Sequence, residues 1–145
     1  MRAKPFQPVV FVGIDRGMQR KFRTRKNMAR LIGISFDEFC ERFTWENLYG
    51  DETREDRPPA ESRIQAECLR RRFVSDQRIV LLGTEVASAF GVTKQSKYEW
   101  FALADSSAVA AKMIHTSNFH WNMPSRQAEL WGPAREFAKS LLSYV

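Results

Sequence analysis

Three polar residues come directly after predicted strands, and their side chains have the chemistry that a catalytic site needs. Asp15 lies in the turn GIDRG after the apolar run 9–13, Asn47 ends the segment TWEN, and His115 follows the weaker strand candidate 111–114. A carboxylate can orient or deprotonate water, an amide can hydrogen-bond a polar ligand, and an imidazole can transfer a proton. Because the carboxyl ends of parallel strands meet at one crevice, we expect these side chains to converge there.

Each residue also has a purely structural interpretation. Asp15 could close its own turn or cap the next helix, and its spacing does not separate that role from a catalytic one. A single histidine such as His115 is more often a structural residue than a catalyst. It stands, however, in the segment HTSN, which is built of short hydroxyl and amide side chains.

Basic residues are concentrated just after the Asp15 turn. No acidic residue lies between Arg16 and Arg30, and the net charge of the whole chain is +6. The basic side chains inside this interval are Arg20, Lys21, Arg23, Arg25 and Lys26, and a second cluster consists of Arg70, Arg71 and Arg72. Such clusters displace counterions from phosphates, so we predict binding to a polyanion, with a solvated basic face as the alternative.

Aromatic residues follow the HTSN segment. Ser117 and Asn118 are succeeded by Phe119 and, after a histidine, by Trp121. Aromatic side chains beside a basic surface can stack on bases or wedge into a duplex. The alternative is that Phe119 and Trp121 pack onto the core.

The sequence lacks the motifs of several common enzyme classes. It contains no GxSxG, no GxxxxGK[ST] and no HExxH, and the turn GIDRG does not match GxGxxG. Cys40 and Cys68 have neither CxxC spacing nor neighbouring histidines, so the sequence supports no metal site and no cofactor. We expect both cysteines to be buried as small apolar residues.

Hydrophobic spacing divides the chain into alternating strands and helices. Strands are predicted at residues 9–13, 44–48 and 78–83, with weaker candidates at 98–104 and 111–114. Helices are predicted at 27–32, 60–73 and 85–90, and from Ser35, which forms a capping box with Glu38. A last helix covers 130–141, where Gly132-Pro133 should delay its start or kink it. This alternation predicts an α/β fold, a three-layer α/β/α sandwich around a mostly parallel sheet.

The length and composition indicate one domain over residues 1–145. At 145 residues and 43% hydrophobic content, the chain can bury one core and is short for two domains. No run approaches the roughly 18 apolar residues of a membrane span, and residues 1–8 lack the apolar stretch of a signal peptide. We therefore expect a soluble, cytoplasmic protein that has no membrane partner and is a monomer.

Taken in order, four segments resemble the uracil-DNA glycosylase superfamily, particularly its short bacterial and phage members. GIDRG resembles the first motif of that superfamily, in which a strand ends in GxDP or GxNPG, and His115-Thr116-Ser117 resembles its late motif HPS. Between them, NLYGDETREDRPPAESRIQAEC and RIVLLGTEVASAFG are similar to two further segments. The resemblance covers nearly the whole chain, from about residue 9 to residue 142.

The resemblance implies an enzyme that flips a uracil or 5-substituted uracil out of DNA and hydrolyses its glycosidic bond without a metal or cofactor. Asp15 would orient or deprotonate the water that attacks C1′, and His115 would stabilise negative charge on the departing base. Asn47 would hydrogen-bond the uracil edge, and Phe22 would stack on the flipped base. Ser117 and the residues after it would match the segment that enters the minor groove. A phage-encoded member would act in the host cytoplasm.

Two positions depart from the motifs. Arg16 and Thr116 stand where the superfamily has prolines, and the cysteine ligands of its iron–sulfur branches are absent. Arg16 could bind a phosphate or a substituent on the base. Two alternatives to base excision follow, namely a protein that binds DNA without cleaving it and an enzyme that modifies a base in phage DNA.

Overall fold

The computed structural model describes residues 8–14, 18–48, 59–114, 116 and 125–145, with only the backbone of 18–23, 59–60 and 125–130. Strands and helices alternate along this length. In chain order the elements are β1 (Val9–Gly13), α1 (Met18–Ile32), α2 (Phe36–Arg42), β2 (Thr44–Asn47), α3 (Pro59–Arg72), β3 (Arg78–Leu82), α4 (Thr84–Ala89), β4 (Phe101–Ala102), β5 (Val109–Met113), α5 (Ser125–Ser140) and a 3-10 helix (Leu141–Tyr144).

The strands form one five-stranded sheet in the order β2-β1-β3-β5-β4. β1 pairs in parallel with β2 on one side and with β3 on the other, and β3 pairs in parallel with β5. β4 runs antiparallel to β5 at one edge. The predicted mostly parallel α/β sheet is therefore confirmed.

Alternate residues of β1 pack on opposite faces of this sheet. Val9 and Phe11 belong to a core cluster with α1, α2 and α5, whereas Val10 and Val12 belong to a second cluster with α3 and α4. All five residues of β1 are buried, as the continuous apolar run predicted. Burying a side chain such as that of Phe11 contributes roughly 1.5–3 kcal/mol to stability. The sheet is thus covered on both faces.

The first helix is longer than the sequence predicted. α1 begins at Met18, whereas apolar spacing placed the start at residue 27 and left the basic residues before it in a loop. Arginine and lysine are good helix formers, so the backbone remains helical through the basic stretch. The buried face of α1 also includes two polar residues, Thr24 and Asn27, which hid the helical period from a search for apolar side chains.

The start of α2 at Ser35 is confirmed, and so is the first hydrogen bond of the predicted capping box. Ser35 is the N-cap residue, and its Oγ accepts a hydrogen bond of 3.1 Å from the backbone N–H of Glu38. Phe39 faces the core from this helix and is 1% exposed. The strand predicted next at TWENL is also confirmed, ending at Asn47.

Two predictions around β3 and β4 are corrected. Gly83, with φ of 88°, is the N-cap of α4 and not part of the strand predicted at 78–83, and the helix predicted at 85–90 begins at Thr84. The strand predicted at 98–104 reduces to Phe101–Ala102. Tyr98 and Asp105 have positive φ values of 66° and 58°, which an extended strand does not allow, and they lie on either side of the two-residue strand.

The C-terminal helix is continuous through Gly132-Pro133, where a late start or a kink was predicted. α5 extends from Ser125 to Ser140 with Pro133 inside it, so it neither starts after Gly132-Pro133 nor is divided there. Ala134, Phe137 and Ala138 are buried on one side of this helix, as their spacing predicted. Packing of that side onto the sheet outweighs the hydrogen bond that proline cannot donate.

Both cysteines were predicted to be buried, and that prediction is wrong. Cys40 and Cys68 are exposed and unpaired thiols, on α2 and α3 respectively. Each lies on the solvent side of a helix whose opposite side is buried. Among the helices in the described ranges, none is long and apolar enough to cross a membrane.

Candidate functional site

The strand order predicts a ligand crevice at the carboxyl ends of β1 and β3. β2 and β3 lie on opposite sides of β1. After β1 the chain continues into α1 on one face of the sheet, and after β3 it continues into α4 on the other face. Helices that leave neighbouring parallel strands on opposite faces open a crevice between the strand ends, where α/β proteins bind ligands.

Asn47 lies at this edge of the sheet, in register with Gly13 at the end of β1. The backbone N–H of Leu48 donates a hydrogen bond of 2.8 Å to the Gly13 carbonyl, so the two strand ends are joined directly. Asn47 is half-buried. The structure therefore places the predicted amide beside the strand end that precedes Asp15.

Several predicted site residues lie outside the part of the chain whose side chains are described. Of the catalytic pair, Asp15 comes two positions after the last residue of β1, and His115 comes two positions after the last residue of β5. The remaining residues outside the description are Arg16, Ser117, Asn118, Phe119 and Trp121, and the side chains of Arg20, Lys21, Phe22 and Arg23.

Trp45 is a site residue that the sequence analysis missed. It is the register partner of Phe11, and the two rings are stacked with centroids 5.8 Å apart. A Cβ atom added to Gly13 would lie 2.8 Å from Cζ2 of Trp45. The φ of Gly13 is not in the left-handed region, and the contribution of this glycine is space for the Trp45 indole. Trp45 is two residues from Asn47 in a strand and so on the same face, which is the signal that could have identified it.

Arg25 lies over the Trp45 ring, with its guanidinium carbon 5.4 Å from the ring centroid. Its Nε is buried and has no hydrogen-bond partner in the described structure. Lys26, the next residue, is exposed and lies 5.9 Å from the centroid of the Phe36 ring. Of the five basic side chains between Arg16 and Arg30, the structure therefore describes one half-buried guanidinium supported by an aromatic ring and one exposed ammonium.

Thr116 joins the segment after β5 to α1. Its Oγ1 donates a hydrogen bond of 2.9 Å to the Thr24 carbonyl, and its own carbonyl accepts one of 2.8 Å from Nδ2 of Asn27. Thr116 is 0% exposed, and Thr24 and Asn27 are also buried. We call these two hydrogen bonds the Thr116 bridge. In the sequence, Thr116 is notable only as the replacement of a motif proline, although two polar residues spaced i, i+3 on α1 were a signal of a buried polar contact.

The second basic cluster lies on the other face of the sheet from α1. Its helix, α3, packs in the core cluster of Val10 and Val12. Arg72 Nη2 is 3.2 Å from Oε1 of Glu46, and Arg70 donates a hydrogen bond to the Phe90 carbonyl and lies over the Phe90 ring. Arg70 also lines a cleft of about 450 Å³ between α3 and the end of α4. The two helices that carry the basic clusters therefore pack on opposite faces of the sheet.

Tyr98 is the titratable side chain whose pKa is perturbed beside the end of β5. Burial raises its pKa above the ordinary tyrosine value of 10.0, and a hydrogen bond with the Ile114 backbone lowers it in part. Its ring packs against Phe137 of α5 with centroids 5.6 Å apart. Tyr98 therefore contacts the backbone one residue before His115, and the Thr116 bridge lies one residue after it.

Within the described ranges, no group of three or more histidine, cysteine, aspartate or glutamate side chains is arranged to hold a metal ion. No protein-family model matches the chain, and no curated protein matches it either. The geometry of the strand ends is therefore the basis for assigning a function.

Proposed function

We propose that the protein is a DNA glycosylase that hydrolyses the N-glycosidic bond of a flipped uracil or 5-substituted uracil, on a fold of the uracil-DNA glycosylase type. The observation that supports this most directly is the register of Gly13 with Asn47 at the carboxyl edge of a parallel sheet. The Thr116 bridge adds to it by joining the segment after β5 to α1. The motifs that resemble the superfamily therefore follow strands that end at one edge.

The proposed roles follow from the charges that develop during the reaction. Breaking an N-glycosidic bond builds positive charge on the sugar and negative charge on the base. Asp15 orients or deprotonates the attacking water, and its carboxylate stabilises the positive sugar. His115 stabilises the negative base, because a donor aimed at developing charge acts most strongly away from bulk water. Asn47 hydrogen-bonds the Watson–Crick edge of the base, for which an amide offers both a donor and an acceptor.

Contact with DNA is assigned to the basic residues that begin at Arg16 and continue along α1. Arg25 offers a buried Nε without a hydrogen-bond partner among described residues, held over Trp45, and Lys26 offers an exposed ammonium. Fixed guanidinium groups suit phosphate oxygens, and an ammonium contributes as a point charge. Phe119 and Trp121 would enter the duplex beside the flipped base. The protein acts on DNA as a monomeric single domain.

An excision assay on defined oligonucleotides tests the proposal. The purified protein is incubated with labelled duplexes and single strands that carry one uracil or one 5-hydroxymethyluracil, and abasic sites are then cleaved by alkali. A matched strand with thymine at the same position is the control. Cleavage at the uracil analogue and not at thymine is the expected result. No product with enzyme in excess over DNA would sink the proposal.

A DNA-binding protein without excision is the second candidate function, and Arg16 and Thr116 at the two motif-proline positions favour it. It predicts DNA binding whose logarithmic affinity falls steeply with the logarithm of salt concentration, together with no abasic product. A related enzyme that modifies the flipped base would release no base but would change the mass of the oligonucleotide. Mass spectrometry of the recovered strand separates these outcomes.

A further inference from the structure

The Thr116 bridge joins two parts of the chain that are far apart in sequence. Both of its hydrogen bonds end on Thr116, at the hydroxyl and at the backbone carbonyl, and both are buried. A buried polar group that loses its partner has no water to replace it, so such bonds fix a position strongly. The residue before Thr116 in the sequence is His115.

The helix at the other end of the bridge is itself firmly held. Met28 and Leu31 of α1 are 0% exposed in the core cluster that also contains Phe11 of β1. Arg25, next to Thr24, lies over Trp45 of β2, so α1 contacts β2 through Arg25 and the segment after β5 through Thr24 and Asn27. A contact to α1 is therefore a contact to a helix that is packed into the core.

We propose that Thr116 is a positioning residue, which together with Asn27 holds the segment containing His115 at a fixed distance from the basic side chains of α1. The inference rests on the proposed function. In excision, the group that stabilises the departing base and the groups that bind the phosphates must act on one nucleotide at the same time. A shift of about 1 Å in such a group can cost roughly 10²-fold in rate. The Thr116 hydroxyl provides by hydrogen bonding the local rigidity that a proline would provide covalently.

Variants at position 116 separate the hydroxyl from the shape of the side chain. Thr116→Val keeps the branched shape and removes the donor, whereas Thr116→Ser keeps the donor. Thr93→Val is the matched control, because Thr93 is exposed and accepts from Lys112 through its backbone carbonyl only. For each protein, the single-turnover excision rate is measured at saturating enzyme, and the Kd for a uracil-free duplex is measured separately.

We expect Thr116→Val to lower the saturated excision rate by about tenfold or more, a loss comparable to that of a misplaced catalytic group. Its Kd for the duplex should remain within about twofold of the native value, because the basic side chains are unchanged. Thr116→Ser and Thr93→Val should both retain the native rate. A folded Thr116→Val with the native rate overturns the proposal, and so does a variant that weakens DNA binding without changing the saturated rate.

Circular dichroism and the unfolding midpoint establish that each variant is folded. If Thr116→Val does not fold, Thr116→Ala and Asn27→Ala replace it in the same comparison. Asn27→Ala removes the other hydrogen bond of the bridge and should reproduce the loss of rate. An Asn27→Ala protein that is folded and fully active also overturns the proposal.

A spectroscopic measurement tests the positioning role of Thr116 independently of excision activity. The chain has two histidines, so in a His120→Asn background the imidazole signals in a proton–carbon NMR spectrum belong to His115. Even if the native protein excises nothing, Thr116→Val should shift or broaden these signals, and Thr116→Ser should restore them. Unchanged His115 signals in Thr116→Val would show that the bridge does not position this residue.

Discussion

At the scale of single residues, the proposed reaction depends most directly on the carboxylate of Asp15. We expect Asp15→Asn to lower the excision rate by about 10²-fold or more, the usual contribution of a general base. The amide keeps the size of the side chain and can still hydrogen-bond within the turn, so the fold and the DNA affinity should change little. Single-turnover kinetics and a duplex-binding titration measure the two effects separately.

The matched control for Asp15→Asn is Asp76→Asn, which changes an exposed aspartate in the turn between α3 and β3. This variant should excise at the native rate. If Asp15→Asn instead unfolds the protein while each folded molecule keeps its activity, Asp15 is a turn-closing residue and its catalytic assignment is wrong.

Gly13 carries a second prediction at this scale, because Trp45 occupies the space that a side chain would need. Alanine at position 13 would place Cβ 2.8 Å from Cζ2 of Trp45. Forcing this indole aside should cost about 1–3 kcal/mol of unfolding free energy, as overpacking does elsewhere. Urea unfolding of Gly13→Ala against the native protein measures the loss.

Gly132→Ala is the control, and its expected change in unfolding free energy has the opposite sign. Gly132 is exposed within α5, and an added Cβ would meet nothing within 4 Å. Alanine there should stabilise the protein by about 0.5–1 kcal/mol, because it restricts the unfolded chain more than glycine does. In a Trp45→Phe background the cost of Gly13→Ala should fall, since phenylalanine has no atom at Cζ2. An undiminished cost would show that the indole is not its source.

The residues that sequence reasoning located differ physically from those it missed. Asn47 was found because it ends an apolar strand, which is a local pattern. The Thr116 bridge joins residues 89 and 92 positions apart in sequence, and no local pattern specifies such a contact. Trp45 was interpreted only as part of a strand, because the proximity of its ring to Gly13 depends on the pairing of β2 with β1.

At the scale of elements, the strands buried on both faces were predicted well, whereas the candidate strand at 98–104 was not. β1 and β3 are continuous apolar runs, and their bounds agree with the sequence to within one residue. The stretch 98–104 has a similar composition, but Tyr98 and Trp100 pack their rings against Phe137 of α5 instead of forming a longer strand. Tertiary packing, and not local propensity, therefore determined the bounds of this strand.

Tyr98 allows a prediction about pH at this scale. Burial raises its pKa in the folded protein above the ordinary value of 10.0, so the folded state favours the neutral phenol. This contribution to stability is fully present below pH 10.0 and is lost as the pH rises through the raised pKa. Unfolding free energy should therefore fall less steeply with alkaline pH in Tyr98→Phe than in the native protein. Urea titrations at a series of alkaline pH values measure the two slopes.

Tyr144→Phe is the matched control for that comparison, since it removes a phenol from the C-terminal 3-10 helix instead. The slope of its unfolding free energy against alkaline pH should match that of the native protein more closely than the slope of Tyr98→Phe does. Equal slopes in the native protein and in Tyr98→Phe would contradict the assignment of alkaline destabilisation to Tyr98.

At the scale of the whole molecule, the α/β architecture was predicted from the alternation of elements, and the distribution of charge over it was not. The net charge of +6 and both basic clusters are visible in the sequence. Their placement on opposite faces follows from which helix packs on which side of the sheet. α1 therefore carries one cluster on one face of the sheet, and α3 carries the other cluster on the opposite face.

This placement predicts which charges set the salt dependence of DNA binding. The logarithm of affinity falls with the logarithm of salt concentration in proportion to the number of phosphates contacted. Arg16→Ala and Lys26→Ala should each reduce that slope by about one unit, because each removes one proposed phosphate contact. Arg71→Ala removes an exposed arginine of α3 on the other face, so the slope should remain that of the native protein. Fluorescence anisotropy of a labelled duplex, titrated at several salt concentrations, gives all four slopes.

If Arg71→Ala flattens the slope as much as Lys26→Ala does, DNA binding is not confined to the α1 face. The proposed position of the duplex over the strand ends would then be wrong, even if excision itself were observed.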